Sequence, residues 1–229
     1  MTLENLISRF RLLVPECPST VISDADLTSL LNDGQLDITM KTNCLAQYAE
    51  QNVVDGTQEY SIPSDSIKIT AVYYGGTGNW EKLPEVTMNW LSQNRGDDWI
   101  NDTGEIMTYF KRRDKIGLYK TPTSSEAGTN YLRIYYTEQP DSLTGSTNVP
   151  FSGLAHLYPY HELVLLYAMY KAKQVIGKYE QSKYLESDLM VKANRMKIEI
   201  GKLDDFNQVV TPYYKSKTGY GLKENPLDQ

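Results

Sequence analysis

The sequence predicts an α+β protein: an elongated helical bundle of two N-terminal helices and two long C-terminal helices, a small antiparallel β domain inserted between the pairs, and an extended C-terminal arm. Three observations carry this. Apolar residues recur at helical spacing before residue 45 and again after residue 160, short alternating segments fill the span between, and the last two dozen residues lose periodicity. The boundaries that follow are 1–45 and 151–206 for the helical bundle, 46–150 for the β domain and 207–229 for the arm.

LENLISRFRLLV, residues 3–14, places Leu3, Leu6, Ile7, Phe10 and Val14 on one helical face behind Thr2, a suitable N-cap. Pro15 and Pro18 end that helix. A second starts at Ser23 or Asp24, where SDAD supplies a cap and first-turn acids, and turns Leu27, Leu30, Leu31, Ile38 and Leu45 inward. Gly34 weakens it without ending it.

From about residue 46 the pattern changes to short strands. QYAEQNVV, an Asp55-Gly56 turn and TQEYSI read as a β-hairpin, because Asp-Gly between alternating apolar residues is among the strongest short-range hairpin signals. Pro63 breaks the run, and IKITAVYY is a further strand ending in Tyr73 and Tyr74. GGTGN is a loose turn before Trp80, and one short helix from about Val86 to Gln93 lies between Pro84 and Gly96. EIMTYFKRR, KIGLYK and YLRIYYTEQ are strands. In the last of these Leu132, Ile134 and Tyr136 alternate with Arg133 and Tyr135, the mark of a sheet with one wet face.

A turn-rich linker, PDSLTGSTNVPFSG, leads to LAHLYPYHELVLLYAMYKAKQVIG, apolar nearly all round from Leu163 to Val175 and therefore expected to be covered on several sides. After Gly177 comes a long amphipathic helix whose seam is Leu185, Leu189, Ala193, Met196, Ile200 and Leu203, spaced for antiparallel packing on its neighbour. From Lys178 to Phe206 it would span about 40 Å at ~1.5 Å per residue. The remainder, NQVVTPYYKSKTGYGLKENPLDQ, reads either as a frayed terminus or as an arm that orders on a partner through its tyrosines.

With 229 residues the chain can bury an ample core, and 18 tyrosines against 4 phenylalanines suggest amphipathic surfaces that meet partners. The net charge of −6 lies wholly in residues 1–62, which hold nine acids and three bases. An acidic balance argues against a protein that grips nucleic acid by its phosphates. Lys111, Arg112, Arg113 and Lys115 form one basic cluster, interrupted by Asp114, and a short run of this kind is usually a solvated strand end rather than a phosphate contact. Cys17 and Cys44 lack CxxC spacing and read as free thiols in a reducing compartment. Glu4, Arg9 and Arg11 interrupt any signal-peptide pattern and no apolar run could cross a bilayer, so the expectation is a soluble protein made in a cytoplasm, with no membrane partner.

Catalytic vocabulary is sparse. His156 and His161, five apart, fall on different helix faces and read as core or capping residues rather than metal ligands. Asp97, Asp98, Glu105 and Glu162 are not paired by any spacing that would suggest acid–base work. GGTG lacks the lysine and following helix of a phosphate loop, and GxSxG and HExxH are missing. A structural protein without cofactor or metal is the expectation, ahead of an enzyme, which would need such a pair or a zinc site.

The order of the pieces resembles the head-to-tail adaptor, or connector, proteins of tailed bacteriophages, best those of short-tailed phages, over roughly residues 3–205. It rests on a hairpin-like GTQEY with a proline-bounded strand (Gly56, Thr57, Gln58, Glu59, Tyr60, Pro63), an IGLY strand (Ile116, Gly117, Leu118, Tyr119) and a YHEL helix (Tyr160, His161, Glu162, Leu163), in that order. The resemblance implies a non-enzymatic virion subunit, assembled in the host cytoplasm, that forms a ring of typically twelve copies beneath the portal protein and a platform for the next tail protein. A nozzle, stopper or other virion ring or tail-tube component is the nearest alternative, and a tail-associated cell-wall hydrolase a more distant one. Genomic DNA would pass through the lumen unbound, past acids of residues 1–62 or of the long second C-terminal helix. The resemblance also implies an arm that docks on the portal, anchored here by Tyr213, Tyr214, Lys215 and Tyr220. On the β domain, Tyr73, Tyr74 and Trp80 are the expected partner surface.

Overall fold

Helix α1 (Leu3–Leu13) begins where the sequence puts a cap: the Thr2 side chain accepts a hydrogen bond from the Asn5 backbone N–H. Helix α2 (Asp24–Thr42) opens on a capping box, in which the Ser23 hydroxyl accepts from the Asp26 N–H and the Asp26 carboxylate accepts from the Ser23 N–H. It closes on Asn43 in the left-handed region, the one non-glycine type besides Asp that tolerates that conformation well. The computed structural model describes residues 1–76 and 79–208.

The chain then builds two antiparallel sheets. Strands β1 (Ala46–Val53), β2 (Glu59–Ser61), β3 (Ser66–Gly76) and β4 (Asn79–Leu83) are followed by helix α3 (Met88–Arg95) and a 3-10 turn at Asp97–Asn101. Strands β5 (Thr108–Arg112), β6 (Lys115–Tyr119) and β7 (Gly128–Glu138) complete the set. The larger sheet has the order β1-β7-β3-β4 and the smaller β2-β6-β5.

Asp55-Gly56 does turn the chain, with Thr57 N–H donating to the Val54 carbonyl, but the strands it joins are not a hairpin. β1 pairs with β7 and β2 with β6, in different sheets. A twist-matched two-residue hairpin turn needs positive φ at both central residues. Here only Gly56 has it, at +72°, so the strands splay. Gly75 and Gly76 likewise belong to β3 rather than to a loose turn, and pair with Trp80 and Asn79 across the β3–β4 hairpin.

Short 3-10 segments at Phe151–Gly153 and Ala155–Tyr160 lead into α4 (His161–Val175), and α5 (Tyr179–Gln208) follows directly. Two large buried clusters result. One joins α1, α2, α4 and α5 through residues such as Phe10, Leu31, Ile38, Val164, Ala168 and Met196. The other lies between the two sheets around Val72, Ile116, Leu118, Leu132 and Ile134.

α4 is apolar on most sides because α1, α2, α5 and the preceding 3-10 segment all pack on it, so its own chain supplies most of the cover. Gly34 is buried on the α2 face toward α4, where a Cβ would stand 3.0 Å from the Tyr167 ring. The linker is bound rather than loose. Leu143 is buried in the helical cluster, Asn32 and Gln35 bond its backbone, and the Ser146 and Asn148 carbonyls accept from the Glu4 and Leu3 N–H groups at the start of α1.

Candidate interaction surface

The wet face of the larger sheet gathers side chains that the sequence scatters between residues 48 and 135. On β7, Leu132, Ile134 and Tyr136 point into the core and Arg133 and Tyr135 point out. Register places Tyr48 and Glu50 of β1 opposite Tyr135 and Arg133, and Tyr73 of β3 opposite Arg133 on the other side. Tyr135 lies between two rings, 5.7 Å from Tyr48 and 5.3 Å from Tyr73. The Arg133 guanidinium stands 4.1 Å from the Trp80 ring centre and 4.9 Å from that of Tyr48, and its Nε and Nη2 donate to Glu50 Oε1 at 2.9 and 2.5 Å.

Stacking, cation–π attraction and a charge-assisted fork therefore hold one arginine and four rings in fixed rotamers across all four strands. Tyr48, on the edge strand, is 54% exposed. Nothing in this arrangement is an acid, base or nucleophile poised for chemistry. It is a laterally packed face of the residue types that anchor protein contacts.

Of the three β-domain residues expected at a partner surface, Tyr73 and Trp80 lie on this face and Tyr74 does not. Strand alternation turns Tyr74 to the opposite side, where it packs on Tyr131 and donates to the Glu126 carbonyl at 2.7 Å. Burial, with Glu126 nearby, pushes its phenol up to about 12. Tyr48, Arg133 and Tyr135 were missed as members. The alternation in YLRIYY signals two of them, but Tyr48 joins only through the pairing of β1 with β7. Tyr213, Tyr214, Lys215 and Tyr220 lie outside the described residues.

The basic cluster is largely neutralised where it stands. Lys111 Nζ donates to Glu85 at 2.9 Å, and Arg112 and Lys115 lie 2.9 and 3.5 Å from the two oxygens of Glu59. The cleft of about 350 Å³ beside them is lined by Glu59, Arg112, Arg113, Asp114 and Lys115, so two of its five walls are acidic. His161 is a core residue packed against Tyr158, and Cys17 and Cys44 are separate buried thiols. Among the described residues no three His, Cys, Asp or Glu side chains converge as they would on a metal ion, and no helix is long and apolar enough to cross a membrane.

A family model described as SU10 adaptor protein matches residues 1–210, which takes in both helical segments and both sheets. The chain belongs to the SU10 adaptor protein family. No curated protein matches it. Membership of this adaptor family makes the chain a structural component of the bacteriophage virion, with portal and tail components as the class of partner. The family is a structural class rather than an enzymatic one, and the aromatic face of the adaptor's larger sheet is a surface suited to such contacts.

Proposed function

We propose that this adaptor is the subunit of a ring, typically twelve copies, that sits under the portal around the DNA channel and presents a platform to the next tail protein. The family match over residues 1–210 carries the reading, because it spans the helices and the sheets together. Residues 1–45 and 151–206 serve as the ring body, 46–150 as the partner-facing module and 207–229 as the portal-docking arm, with Tyr213, Tyr214, Lys215 and Tyr220 as its anchors. The sheet face of Tyr48, Tyr73, Trp80, Arg133 and Tyr135 contacts the next component, supported by the exposed Tyr48 ring and the half-buried, mutually packed aromatic residues around it. Genomic DNA passes without specific binding, past acids of residues 1–62 or α5, since like charge denies phosphates a foothold.

Two variants divide the claim. Deleting residues 207–229 leaves a folded subunit that no longer sediments with portal-bearing capsids, and undiminished sedimentation would refute the arm. Trp80→Ala with Arg133→Ala leaves portal attachment intact and blocks recruitment of the next tail component; normal tail completion would refute the sheet face.

A further inference from the structure

α5 is buried along one narrow row. Ser182, Leu189, Ala193, Met196 and Ile200 face inward, whereas Tyr184, Val191 and Ile198 are 77, 65 and 59% exposed. These three are seven residues apart, close to two turns, so they form an outer line about 21 Å long. Single exposed apolar residues are ordinary, but a straight row of three marks a contact surface. The C-terminal half of the row is basic: from Leu189 to Ile198 α5 carries Lys192, Arg195 and Lys197 and no acid, whereas Glu186 and Asp188 follow Tyr184 in the first half. Lys192 and Arg195 are engaged only in exposed pairs with Asp188 and Glu199, which hold them weakly.

α2 offers the complement. Leu27, Leu31, Gly34 and Ile38 face the core, and Asp26, Asp33 and Met40 form an outer line, again seven apart, with Met40 53% exposed. Asp37 lies beside that line. α2 holds four acids, Asp24, Asp26, Asp33 and Asp37, against Lys41 alone. Asp24 and Asp37 pair with Arg11 and Lys41, whereas no ion pair involves Asp33 among the described residues.

We infer that the outer row of α5 on one copy docks along the outer row of α2 on the next copy, with Lys192, Arg195 and Lys197 set against Asp33 and Asp37. The inference rests on the ring reading and deepens it by naming the two faces. Charge selects the occupant. The basic half of the α5 row finds an acid-rich outer row on α2, and a nucleic acid would leave Tyr184, Val191 and Ile198 against phosphates. The contact joins two different patches, so it repeats head to tail and closes into a ring when the rotation between copies allows. Asp26, Asp33 and Asp37 then neutralise a neighbour, and lumen acids come from the rest of residues 1–62 or from Glu180 and Glu186.

The test is oxidative cross-linking of full-length chains, alone at high concentration and with portal-bearing capsids, after circular dichroism has shown native folding. Asp33→Cys and Val191→Cys both alter exposed positions, and the native thiols are buried. A mixture of the two variants should cross-link about tenfold more than either alone, and the double variant should give a ladder of multimers. Lys197→Glu in the Val191→Cys chain should lower the mixed yield severalfold. Equal cross-linking by Val191→Cys alone, or no mixed product under either condition, overturns the inference. A ring seen by microscopy without the mixed cross-link defeats the inference and spares the ring reading; an endless cross-linked ladder does the reverse.

Discussion

Arg133 sits on the central strand β7 with Trp80 and Tyr48 as flanking rings and Glu50 along its fork, so its charge is paired and its stem ordered before any partner arrives. Replacing it with alanine frees two rings and leaves Glu50 alone on the face. The expected result is at least about a tenfold loss of affinity for the next tail component, measured by calorimetry, with little change in melting temperature. Gly117 makes a different demand. A Cβ there would stand 2.1 Å from the tip of the buried Phe110 ring, so Gly117→Ala should destabilise the fold by about 2 kcal/mol in urea melts. His161 gives the chain a pH response. Burial, aided by the Met1 amine 2.6 Å from Nδ1, lowers its pKa to about 4. Between that value and the ordinary histidine range the unfolded chain binds more protons than the native one. Stability is therefore full above the ordinary range, falls as pH drops through the window and levels off below about 4. Glu16 acts lower: hydrogen bonding from Lys173, then Lys178, holds its carboxyl at about 2, so its contribution is full above the usual carboxylate range and fades as pH falls toward 2. The urea midpoint should drop from pH 7 to pH 5, and the drop should shrink in His161→Asn; an unchanged drop would remove histidine as its source.

At the scale of the element, the ends of α2 are written locally. Ser23→Ala removes one arm of the capping box and should cost about 1 kcal/mol, a fall of roughly 2–4 °C in melting temperature. The helices were legible in the sequence for the same reason: Thr2, Ser23 and the seam from Leu189 to Ile200 act over a few residues, and the structure places them as read. Strand existence was equally legible, down to the alternation of Leu132, Ile134 and Tyr136. Strand partnership was not. Whether Val53 turns back on Tyr60 or pairs with Gly128 depends on backbone angles at Asp55 and on contacts more than 70 residues away, which no short pattern encodes. The same gap hid the interaction face. Tyr73 and Tyr74 look equivalent as neighbours in sequence, yet adjacent residues on a strand face opposite ways, and Tyr48 enters the face only through a pairing at long range. The packing of the linker was hidden for a related reason: Leu143 is a lone apolar residue among turn formers, and only the long-range grip of Asn32 and Gln35 on the linker backbone makes it part of the helical core.

For the molecule as a whole, the sequence shows polarity of charge and the fold gives it direction: an acidic outer row on α2, an apolar outer row on α5 that is basic in its C-terminal half, and an aromatic face on the sheet at the other core. Three distinct surfaces on one subunit fit a protein that meets its own copies, a component above and a component below. We propose above all that this SU10-family adaptor forms the ring directly beneath the portal. Electron microscopy of the purified chain mixed with portal-bearing capsids tests it most directly. The expected result is a closed ring, twelvefold in symmetry, stacked on the portal, with the helices around the channel and the aromatic sheet faces toward the tail. Isolated subunits bound elsewhere on the particle, or a ring separated from the portal by another component, would contradict it.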